Sequence, residues 1–164
     1  MTTTTDRIEK QVLLRAPQER VWRAISDAKE FGSWFGMEFD GEFTPGTEIR
    51  GRLAQTKADP DVAKAQEPFA GHPMTFVVDR IEPMHTFSYR WHPFAIFPDV
   101  DYASEPLTLV TFTLASAEGG TLLTIVETGF DALPIARRAE AFGAEEMCWD
   151  TVRELVGKHI ILRP

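Results

Sequence analysis

From Ile135 onward the apolar side chains recur with a period near 3.6, placing Ile135, Phe142, Trp149, Val152, Val156 and Ile160 on one stripe until Pro164. That spacing predicts one long amphipathic helix closing the chain. Everything before Pro134 reads differently, as short strand-like runs between turn signals. A helix of this length needs a broad apolar surface to cover its stripe, and a sheet built from those runs supplies one.

Residues 8 to 15 alternate, with Ile8, Val12 and Leu14 on one parity, which predicts a strand with one buried face. Pro17 suits the first position of a helix over about 17 to 26, in which Val21, Trp22 and Ile25 share a face. Asp27 then stands as an N-cap with Glu30 three residues on, ahead of Phe31, Trp34 and Phe35 at i, i+3 and i+4; Gly36 ends this second short helix. Hairpins follow over 37–44 and 47–56 around Pro45-Gly46, over 74–82 and 86–92 around Glu82-Pro83-Met84, and over 107–116 and 121–128 around Glu118-Gly119-Gly120. With the first strand the total is seven. Segments 57–73 and 93–106 are longer than hairpin loops, and in an up-and-down meander both emerge where the long helix begins. That end of the sheet is the expected pocket mouth, with the aperiodic segment 57–73 as its mobile lid.

The 164 residues suffice for one domain, expected over 8–162 behind a disordered tail at 1–7. Twelve Phe and four Trp against two Tyr suit either a large core or the lining of an apolar pocket. Twenty-five acidic against 17 basic residues leave a net charge of -8, which disfavours nucleic acid and anionic lipid surfaces as partners. No apolar run reaches the roughly 20 residues that span a bilayer, and the polar Met1 to Asp6 segment lacks a signal-peptide core, so the expectation is a cytoplasmic protein without membrane insertion. Cys148 is a lone cysteine, read as a small core or helix-surface residue. His72, His85, His92 and His159 show no metal-ligand spacing, and Gly41, Gly46 and Gly51 make no phosphate loop, so neither metal nor cofactor is expected.

The order strand, two short helices, six strands and long helix is carried by particular residues: Ala16-Pro17 with Glu19, Val21 and Trp22; Trp34-Phe35; Arg80-Ile81-Glu82-Pro83; Phe87 to Trp91; Gly120-Thr121; Glu127 to Phe130; and Trp149. Together they resemble the SRPBCC or START-like superfamily, in its activator of heat-shock-protein-90 ATPase homologue-like branch, with likeness also to polyketide cyclase/dehydratase-like proteins. The resemblance spans about residues 8 to 162 and implies an α+β helix-grip fold, a curved antiparallel sheet wrapped around the C-terminal helix and enclosing a cavity for a small apolar or amphipathic molecule. It does not bring co-chaperone activity with it.

Parity places Phe87, Tyr89 and Trp91 on one face of the fifth strand, with Phe76, Phe112 and Glu127 extending the same surface. Trp34, Phe35, Phe142, Trp149 and, at the mouth, His92 complete the expected lining; a filled core is the competing reading. Glu127 shares parity with Leu123 and Ile125, where a carboxylate is costly unless paired or protonated. Of Glu145 and Glu146, at the edges of the helix stripe, one should face the sheet, and Glu146 is taken as the site candidate. Arg52, Arg90 and Arg153 are possible ion-pair partners for these carboxylates. Three functions stay open: binding of a small apolar or aromatic ligand, cyclase- or dehydratase-like catalysis with Glu127, Tyr89 or His92 moving a proton, and a chaperone-associated stress-response module, in a monomer or homodimer.

Overall fold

The computed structural model describes residues 6–97 and 99–164. Most of the expected tail lies outside them, and Arg7 already belongs to the first strand. The sheet consists of β1 (Arg7–Leu14), β2 (Met37–Phe39), β3 (Glu48–Leu53), β4 (Pro73–Glu82), β5 (Thr86–Trp91), β6 (Thr108–Ala117) and β7 (Gly120–Thr128). Their order is β1-β7-β6-β5-β4-β3-β2, with every neighbouring pair antiparallel. The meander is the expected one, and β1 returns to pair with β7 from Arg7↔Thr128 to Leu14↔Thr121. The helices are α1 (Gln18–Ser26), α2 (Ala28–Phe35), α3 (Pro60–Gln66) and α4 (Ile135–Leu162). At 28 residues α4 is about 42 Å long, enough to cross the whole curved sheet.

The first turn signals act much as the sequence suggests. The Asp27 side chain accepts a 2.9 Å hydrogen bond from the Glu30 amide and caps α2. Gly36 ends the helix at φ 97°, and any Cβ there would lie 2.9 Å from the Ala54 carbonyl, so both backbone and space require glycine. Pro17 is extended and stands as the N-cap, so α1 begins one residue later than predicted.

Two segments depart from the sequence reading. The hairpin expected around Pro45-Gly46 closes early: β2 has three residues, and residues 40–47 leave the ladder so that Phe43 can turn inward and stack on Phe87 at 4.7 Å. The expected lid at 57–73 instead contains α3. Asp59 accepts hydrogen bonds from the Asp61 and Val62 amides, and Pro60 fills the first turn. Gln66 accepts from the Thr56 amide at 2.7 Å and donates to the Phe35 carbonyl at 3.2 Å. Asp59 also pairs with Lys158 on α4, so the segment is tied to the body at both ends of its helix.

Inside the sheet the aromatic residues form a continuous core. Phe31 of α2 sits at its centre, with ring centroids 5.8 Å from Phe112, 6.1 Å from Phe76 and 6.2 Å from Phe87. Phe76 and Tyr89 stack almost parallel at 3.8 Å. Trp34 is fully buried and satisfies its indole N–H on the Ala24 carbonyl at 2.9 Å. Because so many rings converge on Phe31, truncating it leaves a cavity that few side chains can collapse to fill. Phe31→Ala should cost about 3 to 5 kcal/mol in urea denaturation; a loss below about 1 kcal/mol would show that the rings around it repack freely.

Candidate functional site

An apolar hollow lies beside this aromatic core and not within it. It has a volume of about 420 Å³ and opens between α4, α3 and the 93–106 segment. Phe35 and Trp91 form its inner wall; Leu53 and Met74 close the sheet side; Val62 and Phe69 come from the α3 segment, and Phe94 and Ile96 from the 93–106 segment. α4 contributes Ala144, Glu145, Cys148, Val152 and Leu155, which recur at helical spacing along its inner face. The volume falls in the range of small-molecule sites, about 300 to 1,000 Å³. The lining is apolar apart from a few groups, of which Glu145 is the one ionisable carboxyl.

Behind Trp91 lies the principal polar feature of the interior. Glu127 is completely buried on β7, and three donors from different elements converge on it. Trp91 Nε1 of β5 and Thr108 Oγ1 of β6 donate to Oε2 at 2.8 and 2.6 Å, while Trp149 Nε1 of α4 donates to Oε1 at 2.7 Å. No arginine takes part. Arg52 pairs with Glu38 and Asp40, Arg90 with Asp79, and Arg153 with Asp150, so the ion-pair reading of the buried carboxylates gives way to a hydrogen-bonded one.

Glu145, next to Glu127, is 3% exposed. Its Oε1 accepts a 3.2 Å hydrogen bond from the Phe94 amide, and no donor from another residue reaches Oε2. Its contact with Glu127 is a hydrogen bond only when one of the two carboxyl groups carries a proton. Burial first, and the Glu127 charge second, push the Glu145 carboxyl well above the ordinary range. Burial also raises Glu127, against the pull of its hydrogen bonds from Thr108 and the two tryptophans. With three donors fixed on Glu127, the charge belongs there and the proton on Glu145, although the pair titrates as a unit. Tyr89 and Cys148 share this environment, and burial pushes both upward, which leaves the Cys148 thiol protonated.

The mouth is held by a second set of polar contacts. Arg137 donates to Glu105 at 3.0 Å and to the Pro93 carbonyl at 2.6 Å, and its guanidinium lies 4.9 Å from the centre of the Tyr102 ring. His72 Nε2 donates to the Ala95 carbonyl at 2.7 Å, and His92 Nε2 to the Glu105 carbonyl at 3.1 Å. Phe94 itself has φ 50°, an unusual backbone conformation for a bulky residue, next to the amide that Glu145 accepts.

The residues singled out in the sequence therefore separate into groups. Phe35 and Trp91 line the pocket. Glu127 and Trp149 sit directly behind Trp91 in the hydrogen-bonded cluster. Trp34, Phe76, Phe87, Tyr89 and Phe112 belong to the aromatic core around Phe31. His92 braces the mouth segment, and Phe142 is half-buried against Phe130 at 5.3 Å. Glu146 is exposed; its neighbour Glu145 is the inward carboxyl. The signal for Glu145 was present, since Ala141, Glu145, Trp149 and Val152 follow one another at intervals of four, four and three. A larger hollow, about 840 Å³, lies between α1, α2 and the end of α4, but Arg20 and His159 there already pair with Glu30. Among the described residues no cluster of three His, Cys, Asp or Glu could hold a metal, and no helix is long and apolar enough to cross a membrane.

The family model described as activator of Hsp90 ATPase homolog 1-like protein matches residues 15–157. The chain belongs to that family. No curated protein matches it in sequence. Among solved structures, MLL2253 from Mesorhizobium loti superimposes with a TM-score of 0.70 at 21% identity, covering 96% of this chain and 98% of its own. A protein from Arthrobacter aurescens gives a TM-score of 0.71 at 16% identity over 98% of this chain and 90% of its own. DynU16, from the dynemicin biosynthetic locus, gives 0.66 at 21% identity over 95% of this chain and 47% of its own. These solved structures share the fold of this chain at low identity, and the helix-grip architecture is common to them.

The carboxyl pair has a consequence for stability. A carboxyl whose pKa is higher folded than unfolded holds its proton over a range where the unfolded chain has released it. Its contribution is complete below the ordinary glutamate value of 4.5 and is lost as pH rises through the folded value. Glu145→Gln fixes the neutral state, so urea denaturation above pH 4.5 should show the variant gaining on the wild type as pH increases. Parallel pH profiles for the two proteins would mean that Glu145 ionises normally.

Proposed function

We propose that this protein binds a small apolar or amphipathic molecule in the pocket between α3, α4 and the 93–106 segment. The observation that carries the reading is an apolar hollow of about 420 Å³ that persists beside a core otherwise filled with interlocking rings. Polar contacts fix the walls around it: Arg137 on Glu105 and Pro93, His72 on Ala95, and Gln66 on Phe35. Membership of a family with a cavity-bearing fold supports the same reading.

A second reading, catalysis, is favoured by one feature. A carboxyl held neutral at the pocket wall is equipped to act as a general acid, and a fold relative comes from a biosynthetic locus. Recovery of a chemically altered ligand after incubation would identify that activity; unchanged ligand identifies a carrier or receptor.

Ligand entry should be visible in tryptophan fluorescence, because Trp91 forms the pocket wall and Trp149 lies 6.0 Å behind it. At a ligand concentration a hundredfold above its Kd the fold should gain about 2.7 kcal/mol. Ala144→Phe, on the inner face of α4, should fill the hollow and abolish both effects while preserving the fold. If fatty acids, sterols and polycyclic aromatics all leave fluorescence and melting temperature unchanged, the surface-interaction reading replaces this one.

A further inference from the structure

The pocket offers its occupant very little polar chemistry, and what it offers is one-sided. Glu145 reaches the cavity wall 3% exposed, with Oε2 lacking any donor from another residue. The groups around it are Glu127 from β7, Tyr89 from β5, and Cys148 and Arg137 on its own helix. Arg137 is the single cation among them, and its guanidinium is committed to Glu105 and the Pro93 carbonyl. His72 and His92 are occupied with the Ala95 and Glu105 carbonyls. The pocket wall therefore carries one carboxyl group, Glu145, backed by the buried Glu127, and among the described residues no free positive charge lines it.

In the free protein the balance is made by a proton. Two neighbouring carboxyl groups buried this deeply do not both ionise readily, and a proton is the cheapest cation available. A ligand bringing its own cation can replace it. An ammonium group donates several hydrogen bonds to carboxylate oxygens and loses little by leaving water when one carboxylate receives it and a second stands behind. An anionic ligand meets the opposite situation, because its charge would be buried against Glu127 with no partner.

We propose that the pocket selects apolar amines, the ligand's ammonium standing against the unpartnered Oε2 of Glu145 with the Glu127 carboxylate behind it. The inference rests on the ligand-binding reading above and names its ligand class. The exchange balances in charge: the protonated amine enters, one proton leaves Glu145 for solvent, and the Glu145 carboxylate then receives the ammonium with the Glu127 charge behind it. Binding is consequently linked to pH, and it strengthens as pH rises for as long as the amine stays protonated.

Decylamine, decanol and decanoate share one alkyl chain and differ in head group, so their Kd values separate the body of the ligand from its charge. Measured by calorimetry from about pH 6 to about pH 8, below the pKa of an alkyl amine, decylamine should bind most tightly and decanoate least. The decylamine Kd should tighten by up to about tenfold per pH unit, as release of one proton requires, while that of decanol stays level. Repeating the titration in buffers of different ionisation enthalpy should count close to one proton released. In Glu145→Gln the gap between decylamine and decanol should close and the pH slope of decylamine should vanish. Should that variant fail to fold, the head-group order and slope of the wild type decide alone. Decanol binding as well as decylamine, with no pH slope, overturns the amine selectivity and leaves the pocket reading standing. If none of the three binds, the pocket reading itself falls and the selectivity with it.

Discussion

The buried Glu127 carboxylate is the interaction on which the rest of the structure depends. It takes hydrogen bonds from β5, β6 and α4 at once, through Trp91, Thr108 and Trp149. A lone carboxylate at this depth would cost several kcal/mol. The converging N–H and O–H groups offset that cost only in one geometry, with the helix at a fixed height and rotation against the sheet. Apolar packing between α4 and the strands is tolerant of small slides; three directional bonds to one group are not. The helix register that puts Trp149 on Glu127 also brings Glu145, one turn earlier, to the pocket wall.

That register explains where the hollow is. The concave face of β4, β5 and β6 is occupied by Phe31, Phe76, Phe87, Tyr89 and Phe112, which leaves no room for a ligand in the middle of the sheet. The apolar hollow lies past Trp91, where the strands have ended and the cover consists of α3 and the 93–106 segment. Ala58, Val62 and Phe94 pack these connections against the core, and polar contacts hold their margins. A rigid aromatic body with a polar-braced mouth suits a protein whose ligand must come and go.

Much of this architecture is legible in the residues. Parity along β5, β6 and β7 predicts the inward faces correctly, because a half-buried strand has no freedom to rotate its side chains. The Asp27 cap and the Gly36 stop predict α2 for equally local reasons. The misses arise where a distant part of the chain decides. Phe43 leaves the β2 ladder because Phe87 and Phe76 offer it a better environment than solvent. α3 was announced by Asp59-Pro60, a cap followed by a proline at the first turn, but lacks the buried stripe on which a periodicity reading depends. Anchoring the stripe on Phe142 favours Glu146 over Glu145 because it tilts the stripe by part of a turn, while Phe142 in fact covers Phe130 at the helix flank. The two long segments mark the mouth of the cavity in the sequence, but its extent is not legible there, since whether inward aromatic rings meet each other or leave a gap is settled by their packing in three dimensions.

Carboxyl-resolved NMR titration, with Glu127 and Glu145 assigned by substitution, tests the arrangement most directly. If one proton is shared between two buried carboxyl groups under a set of fixed donors, the two signals should titrate together, with Glu145 remaining protonated far above the ordinary glutamate value of 4.5. Two independent transitions near 4.5 would contradict the account, because they would place both carboxylates in water and release α4 from the interaction that fixes it.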